Sequence, residues 1–157
     1  MAVSVGQQAP DIELPLAGSK DKFRLSDYRG KQPVVLLFFP LAWTSVCTQQ
    51  MCDTRDAMAR YNSLGAKVVA ISVDSPFALD RFKQEQSATF DFASDFNREA
   101  CEAFGCKYED LLGFKGVAKR SAFVIDKEGK VVFADVKESA KDVPSIDDIA
   151  NALKQLA

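Results

Sequence analysis

The chain contains no histidine. That absence removes a Cys–His catalytic pair, a Ser–His triad and any histidine-bound metal, because each needs an imidazole as base or ligand. A Cys-x-x-Cys pair is missing too, the spacing with which vicinal thiols tune disulfide exchange. No apolar run is long enough to span a membrane. The start, residues 1–18, carries neither the basic cluster nor the apolar stretch of a secretory leader. Charge is nearly balanced, with 20 Lys and Arg against 22 Asp and Glu, and no basic stripe stands out. We therefore expect a cytoplasmic protein whose partners include neither nucleic acid nor membrane. Repeats, low-complexity runs and linkers are also absent, and 157 residues suit a single domain over 1–157 with one core.

What is present is four cysteines. In a cytoplasmic chain they are not read as a disulfide framework; they are buried small hydrophobes, metal ligands or redox-active thiols. With histidine excluded, an activated cysteine must draw on a helix terminus, an arginine or lysine, or a hydroxyl. One junction offers a helix terminus and a hydroxyl together. The apolar run Val34-Val35-Leu36-Leu37-Phe38-Phe39 leads into Pro40-Leu41-Ala42-Trp43-Thr44-Ser45-Val46-Cys47. A buried strand stops at a proline, and a helix begins with a cysteine in its first turn, where free N–H groups and the macrodipole favour an anion.

The spacing of apolar residues predicts short strands over 12–16 and 23–25 and a turn or short helical piece over 25–30. A strand covered on both faces follows over 34–39. A helix over 44–63 carries Cys47, Met51, Met58 and Tyr61 at helical spacing and closes at Leu64-Gly65. Next come a buried strand over 67–73, a helix over 76–86 with Pro76 in its first turn, a short strand over 90–92 and a short helix over 97–104. Strands over 120–126 and 130–136 flank the turn Lys127-Glu128-Gly129. A last helix starts at Ser145, with Asp148 as its capping-box partner and Ile146, Ile149, Leu153 and Leu156 as its apolar stripe. The order gives an α/β protein with a mixed central sheet flanked by helices. It is the layout of a thioredoxin-like fold with an N-terminal extension.

In Pro40-x-x-x-Thr44-x-x-Cys47, one helical turn brings the Thr44 hydroxyl and the sulfur onto neighbouring faces. Arg120, opening a strand, is expected to reach over the helix start and hold a thiolate. Pro40 ends the strand and shields the sulfur from above. Each residue also has an ordinary structural role: a threonine there is an N-cap, a proline there is a stop, and Trp43 packs. Trp43 is nonetheless placed to shield the mouth of a pocket.

Together these residues resemble the peroxiredoxins, cysteine-dependent peroxidases. Their Pro-x-x-x-Thr-x-x-Cys motif is matched by Pro40, Thr44 and Cys47, and their Arg-x-x-Phe strand by Arg120-Ser121-Ala122-Phe123. The stretches Gly6-Gln7-Gln8-Ala9-Pro10-Asp11 and Leu25-Ser26-Asp27-Tyr28-Arg29-Gly30-Lys31 are similar to the family as well. The Cys47–Cys52 spacing resembles the Q-type, bacterioferritin-comigratory branch. The region from Phe104 to Lys137 resembles the one-cysteine alkyl hydroperoxide reductase E branch. One position departs: many members carry a glutamate three residues after the reactive cysteine, where this chain has Gln50. A neutral amide still hydrogen-bonds a guanidinium but brings no charge.

The resemblance implies a thiol peroxidase acting on hydrogen peroxide and organic hydroperoxides, with Cys47 as the peroxidatic residue passing through a sulfenic acid. Thr44, Arg120 and Pro40 complete the catalytic set, with no metal or organic cofactor. It implies recycling by a thioredoxin-, glutaredoxin- or mycoredoxin-type reductant, and a homodimer. Cys52 is the first candidate to resolve the sulfenic acid, with Cys101 and Cys106 behind it. On a continuous helix, residues five apart are offset by about 140° with Cα atoms roughly 8.7 Å apart. A disulfide cannot bridge that distance without backbone movement. Two rival readings stand beside this one: a redox sensor or chaperone on the same fold, and a metal site built from the Cys47–Cys52 and Cys101–Cys106 pairs.

Overall fold

Val34–Phe38 forms β3, the middle strand of the main sheet, and all five of its side chains are buried. A computed structural model of the chain describes residues 2–156. Alternation along β3 explains the double burial. Val34, Leu36 and Phe38 enter one apolar core, and Val35, Leu37 and Phe39 enter the other. Helices α1 (Ser45–Ser63), α2 (Pro76–Glu85) and α4 (Ile146–Lys154) cover the second face with Met51, Tyr61, Leu79, Phe82, Ile149 and Leu153. On the first face lie the N-terminal segment and the short α3 (Glu99–Ala103), with Phe104, Cys101 and Cys106.

The main sheet runs β5-β4-β3-β6-β7. Strand β4 (Lys67–Ser72) and then β5 (Asp91–Ser94) are parallel to β3, while β6 (Ser121–Ile125) is antiparallel to it and to β7 (Val131–Val136). This is the expected mixed sheet between helices. The N-terminal extension folds as a hairpin of β1 (Glu13–Pro15) and β2 (Lys22–Arg24). It is tied to the sheet by bridges from Leu16 to Ala93 and from Gln8 to Lys130.

Several boundaries differ from the sequence reading. The short strand is Asp91–Ser94, not 90–92, because it pairs with Val69–Ser72 of β4. Helix α3 begins only at Glu99, since Arg98 takes a left-handed conformation (φ 64°). Arg120 stands just before β6 instead of inside it. Leu156 lies beyond α4 and is partly exposed, so the apolar stripe of that helix ends at Leu153.

Register places the important ends together. In the antiparallel β3–β6 pair, Ser121 faces Phe38. The residue before β6 therefore stands at the carboxyl end of β3, where the chain turns toward α1. That end of an α/β sheet is where functional groups gather.

Candidate active site

The segment between β3 and α1 is held by polar contacts that make up for its lack of regular structure. The Ala42 amide donates to the Asp74 carboxylate at 2.8 Å, and the Ser72 hydroxyl donates to the same carboxylate at 2.6 Å. Trp43 follows in a left-handed conformation (φ 66°), a region costly for an aromatic residue and sustained only by surrounding contacts. Its indole N–H donates to Glu85 Oε1 at 2.7 Å, and its ring meets Phe82 edge-on at 5.4 Å. Trp43 is 48% exposed, so it packs on α2 while facing solvent.

Thr44 occupies the N-cap of α1, yet its side chain makes no capping bond. Its hydroxyl donates to the Leu41 carbonyl at 3.1 Å. Its single proton is thus engaged, and lone pairs are what it presents. Pro40 is buried directly after the strand.

Cys47 sits in the first turn of α1 and is 0% exposed. Arg120 Nη1 donates to its sulfur at 3.1 Å and to Gln50 Oε1 at 2.7 Å. The rest of the guanidinium is anchored on the Ala140 carbonyl, from Nη2 at 3.0 Å and Nε at 3.3 Å. Arg120 is itself only 1% exposed. Its hydrogen bonds go to a sulfur, an amide oxygen and a peptide carbonyl, none of them a carboxylate. A buried cation needs a counter-charge. Of these three partners, only the Cys47 sulfur, at the start of α1, belongs to a group that can carry negative charge. Gln50, buried on the same helix face, orients the arginine without competing for its charge.

The other cysteines have different surroundings. Cys52 is half-buried, and its thiol donates to Gln86 Oε1 at 3.1 Å. Cys101 and Cys106 lie in the core on the opposite face of the sheet from Cys47. Burial pushes the Cys106 thiol up to about 12, and burial with the nearby Asp95 carboxylate pushes Cys101 further in the same direction. Such thiols are poor nucleophiles at neutral pH. Among the described residues, no group of three or more Cys, Asp or Glu is placed to hold a metal ion.

Sequence reasoning did not name Asp74, Glu85, Gln86 or the Ala140 carbonyl. Asp74 carried one usable signal, its place just past the carboxyl end of a parallel strand. The other three act across long sequence separations, through contacts that no spacing encodes.

The chain matches the AhpC/TSA family over residues 5–134. It is 36% identical to the peroxiredoxin Bcp of Bacillus subtilis, across 99% of this chain and 96% of that one. The crystal structure of peroxidoxin BcpB from Mycobacterium tuberculosis superposes with a TM-score of 0.85 at 30% identity, covering 98% of this chain and 97% of the other. The Xanthomonas campestris bacterioferritin comigratory protein, whose structures concern alkyl peroxide reduction, superposes with a TM-score of 0.81 at 27% identity. That match covers 97% of this chain and 98% of that one.

Proposed function

Because the chain belongs to the AhpC/TSA family, as a Bcp-like, Q-type peroxiredoxin, it is a thiol peroxidase, and we propose that Cys47 is the residue that attacks the peroxide. The observation carrying this reading is the 3.1 Å approach of Arg120 Nη1 to the Cys47 sulfur, with both groups buried. The thiolate takes the hydroxyl oxygen of the hydroperoxide, the O–O bond breaks, and the leaving oxygen gains a proton to depart as water or alcohol. Sulfur is left as a sulfenic acid. Arg120 and the free N–H groups of the helix start stabilise charge on the leaving oxygen. Thr44 accepts from the peroxide O–H, since its own proton is held by Leu41. Pro40 and Trp43 bound the approach, and Gln50 keeps the guanidinium aimed. The sulfur is buried, so peroxide entry displaces part of the 40–44 loop or the segment bearing Ala140.

Cys52 resolves the sulfenic acid after the first turns of α1 open. Cys101 and Cys106 do not take part, being buried across the sheet. The resulting disulfide is reduced by a thioredoxin-, glutaredoxin- or mycoredoxin-type dithiol. Alkyl hydroperoxides join hydrogen peroxide as substrates, a reading supported by the activity named for the Xanthomonas relative. The enzyme works as a cytoplasmic homodimer of single-domain chains.

Peroxide consumption by Cys47→Ser, Cys52→Ser and the double Cys101→Ser/Cys106→Ser variant, each with a thioredoxin-type reductant, tests this assignment. Only the first should lose single-turnover reduction. Cys52→Ser should complete one turnover and form no intrachain disulfide. Retention of the first turnover by Cys47→Ser would sink the reading.

A further inference from the structure

The end of one helix grips the chain on both sides of Cys47. Four residues before the cysteine, Trp43 is fixed by Glu85 Oε1 at 2.7 Å and by the ring of Phe82. Five residues after it, Cys52 donates to Gln86 Oε1 at 3.1 Å. One turn further, Arg55 Nη1 donates to the Gln86 carbonyl at 2.8 Å. Phe82 and Glu85 belong to the last turns of α2, and Gln86 is its C-cap. Helix α1 therefore cannot unwind from its start without releasing contacts to this one end of α2.

We propose that Glu85 and Gln86 are positioning residues that latch the first turns of α1 and so set the rate at which Cys52 reaches the oxidised Cys47. The proposal rests on the reading above that Cys52 resolves. In the latched state the two cysteines are held on one continuous helix, too far apart to bond. Gln86 also holds the Cys52 proton. For resolution Cys52 leaves Gln86 and gives up that proton, and its thiolate forms the S–S bond. The S–O bond of the sulfenic acid breaks, and the departing hydroxide takes a proton to become water. No further oxidant enters. While the latch stays closed, the sulfenic acid waits, and a second peroxide can carry it to sulfinic acid. The latch thus divides oxidised enzyme between recycling and over-oxidation.

Glu85 is exposed and Gln86 half-buried at a helix end, so substitutions there leave the core intact. Gln86→Ala removes the acceptor for Cys52, Glu85→Ala removes the acceptor for Trp43, and Gln86→Glu keeps an oxygen in place. Three quantities separate the steps: the second-order rate of Cys47 oxidation by hydrogen peroxide, the first-order rate of the Cys47–Cys52 disulfide by acid-quenched peptide mass, and the sulfinic fraction in excess peroxide. Oxidation should stay within about twofold of the parent in Gln86→Ala and Gln86→Glu, as expected for a residue that hydrogen-bonds neither the sulfur nor the 40–44 loop. The disulfide rate should rise about three- to tenfold in Gln86→Ala, the span of one net hydrogen bond, and further when Glu85→Ala is combined with it. The sulfinic fraction should fall in step, and Gln86→Glu should resemble the parent. A disulfide that forms at an unchanged or slower rate in Gln86→Ala overturns the latch alone. Absence of the disulfide in the parent as well overturns the assignment of Cys52 and the latch with it.

Discussion

Arg120 illustrates a residue whose cost to the fold is set against its use. Its guanidinium is buried without a carboxylate, an arrangement that disfavours folding unless the sulfur beside it is charged. Arg120→Met keeps the length and removes the buried charge. We expect stability in urea to be unchanged or higher by about 1–4 kcal/mol. Peroxide reduction should fall at least about a hundredfold, because the preorganised donor is gone. A stability loss accompanied by retained activity would contradict both halves of the argument. Tyr61 is a smaller case. Its hydroxyl is buried with no hydrogen-bond partner among the described residues, and burial pushes its pKa up to about 12. Tyr61→Phe deletes the orphan group and keeps the ring, so chemical denaturation should show a gain of about 1 kcal/mol.

Among elements, α1 and α4 start in opposite ways. Ser145 caps α4 by accepting from the Asp148 amide at 3.2 Å, an ordinary structural cap. Thr44 stands at the same position of α1 and leaves the helix N–H groups uncapped by its side chain. Ser145→Ala should cost about 1 kcal/mol and leave peroxidase activity intact. Thr44→Ala should give up no cap bond yet lower peroxidase activity. Measuring urea midpoints and turnover for the pair decides whether the α1 terminus is kept open for an oxygen ligand. The single tryptophan reports on the same helix. Trp43 leans on Phe82 and Glu85 of α2, so opening of the first turns of α1 during disulfide formation should change its emission. An emission spectrum identical before and after oxidation would argue that these turns stay closed.

For the molecule as a whole, the two buried thiols on the far face of the sheet set an alkaline limit. The unfolded chain sheds a thiol proton near pH 9, while folded Cys106 holds its proton to about 12 and Cys101 beyond that. The unfolded state therefore binds fewer protons across that interval, and stability falls as pH rises through it. The slope is about −1.4 kcal/mol per pH unit for each such thiol. Calorimetry from about pH 8 to about pH 11 should show a melting temperature that declines above about pH 9. Cys106→Ala should flatten the decline. An equal slope in the variant would mean that the thiol is not the source.

The sequence by itself determined the order of elements, the doubly covered middle strand and the cysteine at a helix start. These depend on local apolar spacing, on Pro40 as a stop and on the capping pattern at Ser145. The missing histidine directed attention to an arginine, and Arg120 was legible as a candidate from the residues that follow it. Tertiary structure decided the rest. Only the antiparallel register of β6 against β3 brings Arg120 to the end of the strand that delivers Cys47, because pairing is fixed between segments more than seventy residues apart in the sequence. Only the approach of the C-terminal end of α2 to the start of α1 sets Glu85 beside Trp43 and Gln86 beside Cys52. Placement of Cys101 and Cys106 across the sheet from Cys47 likewise followed from which face each element buries. Spacing marks which residues face inward along one element. It does not encode which side chains meet when two elements dock, and that meeting is what sets a buried arginine against one cysteine of four.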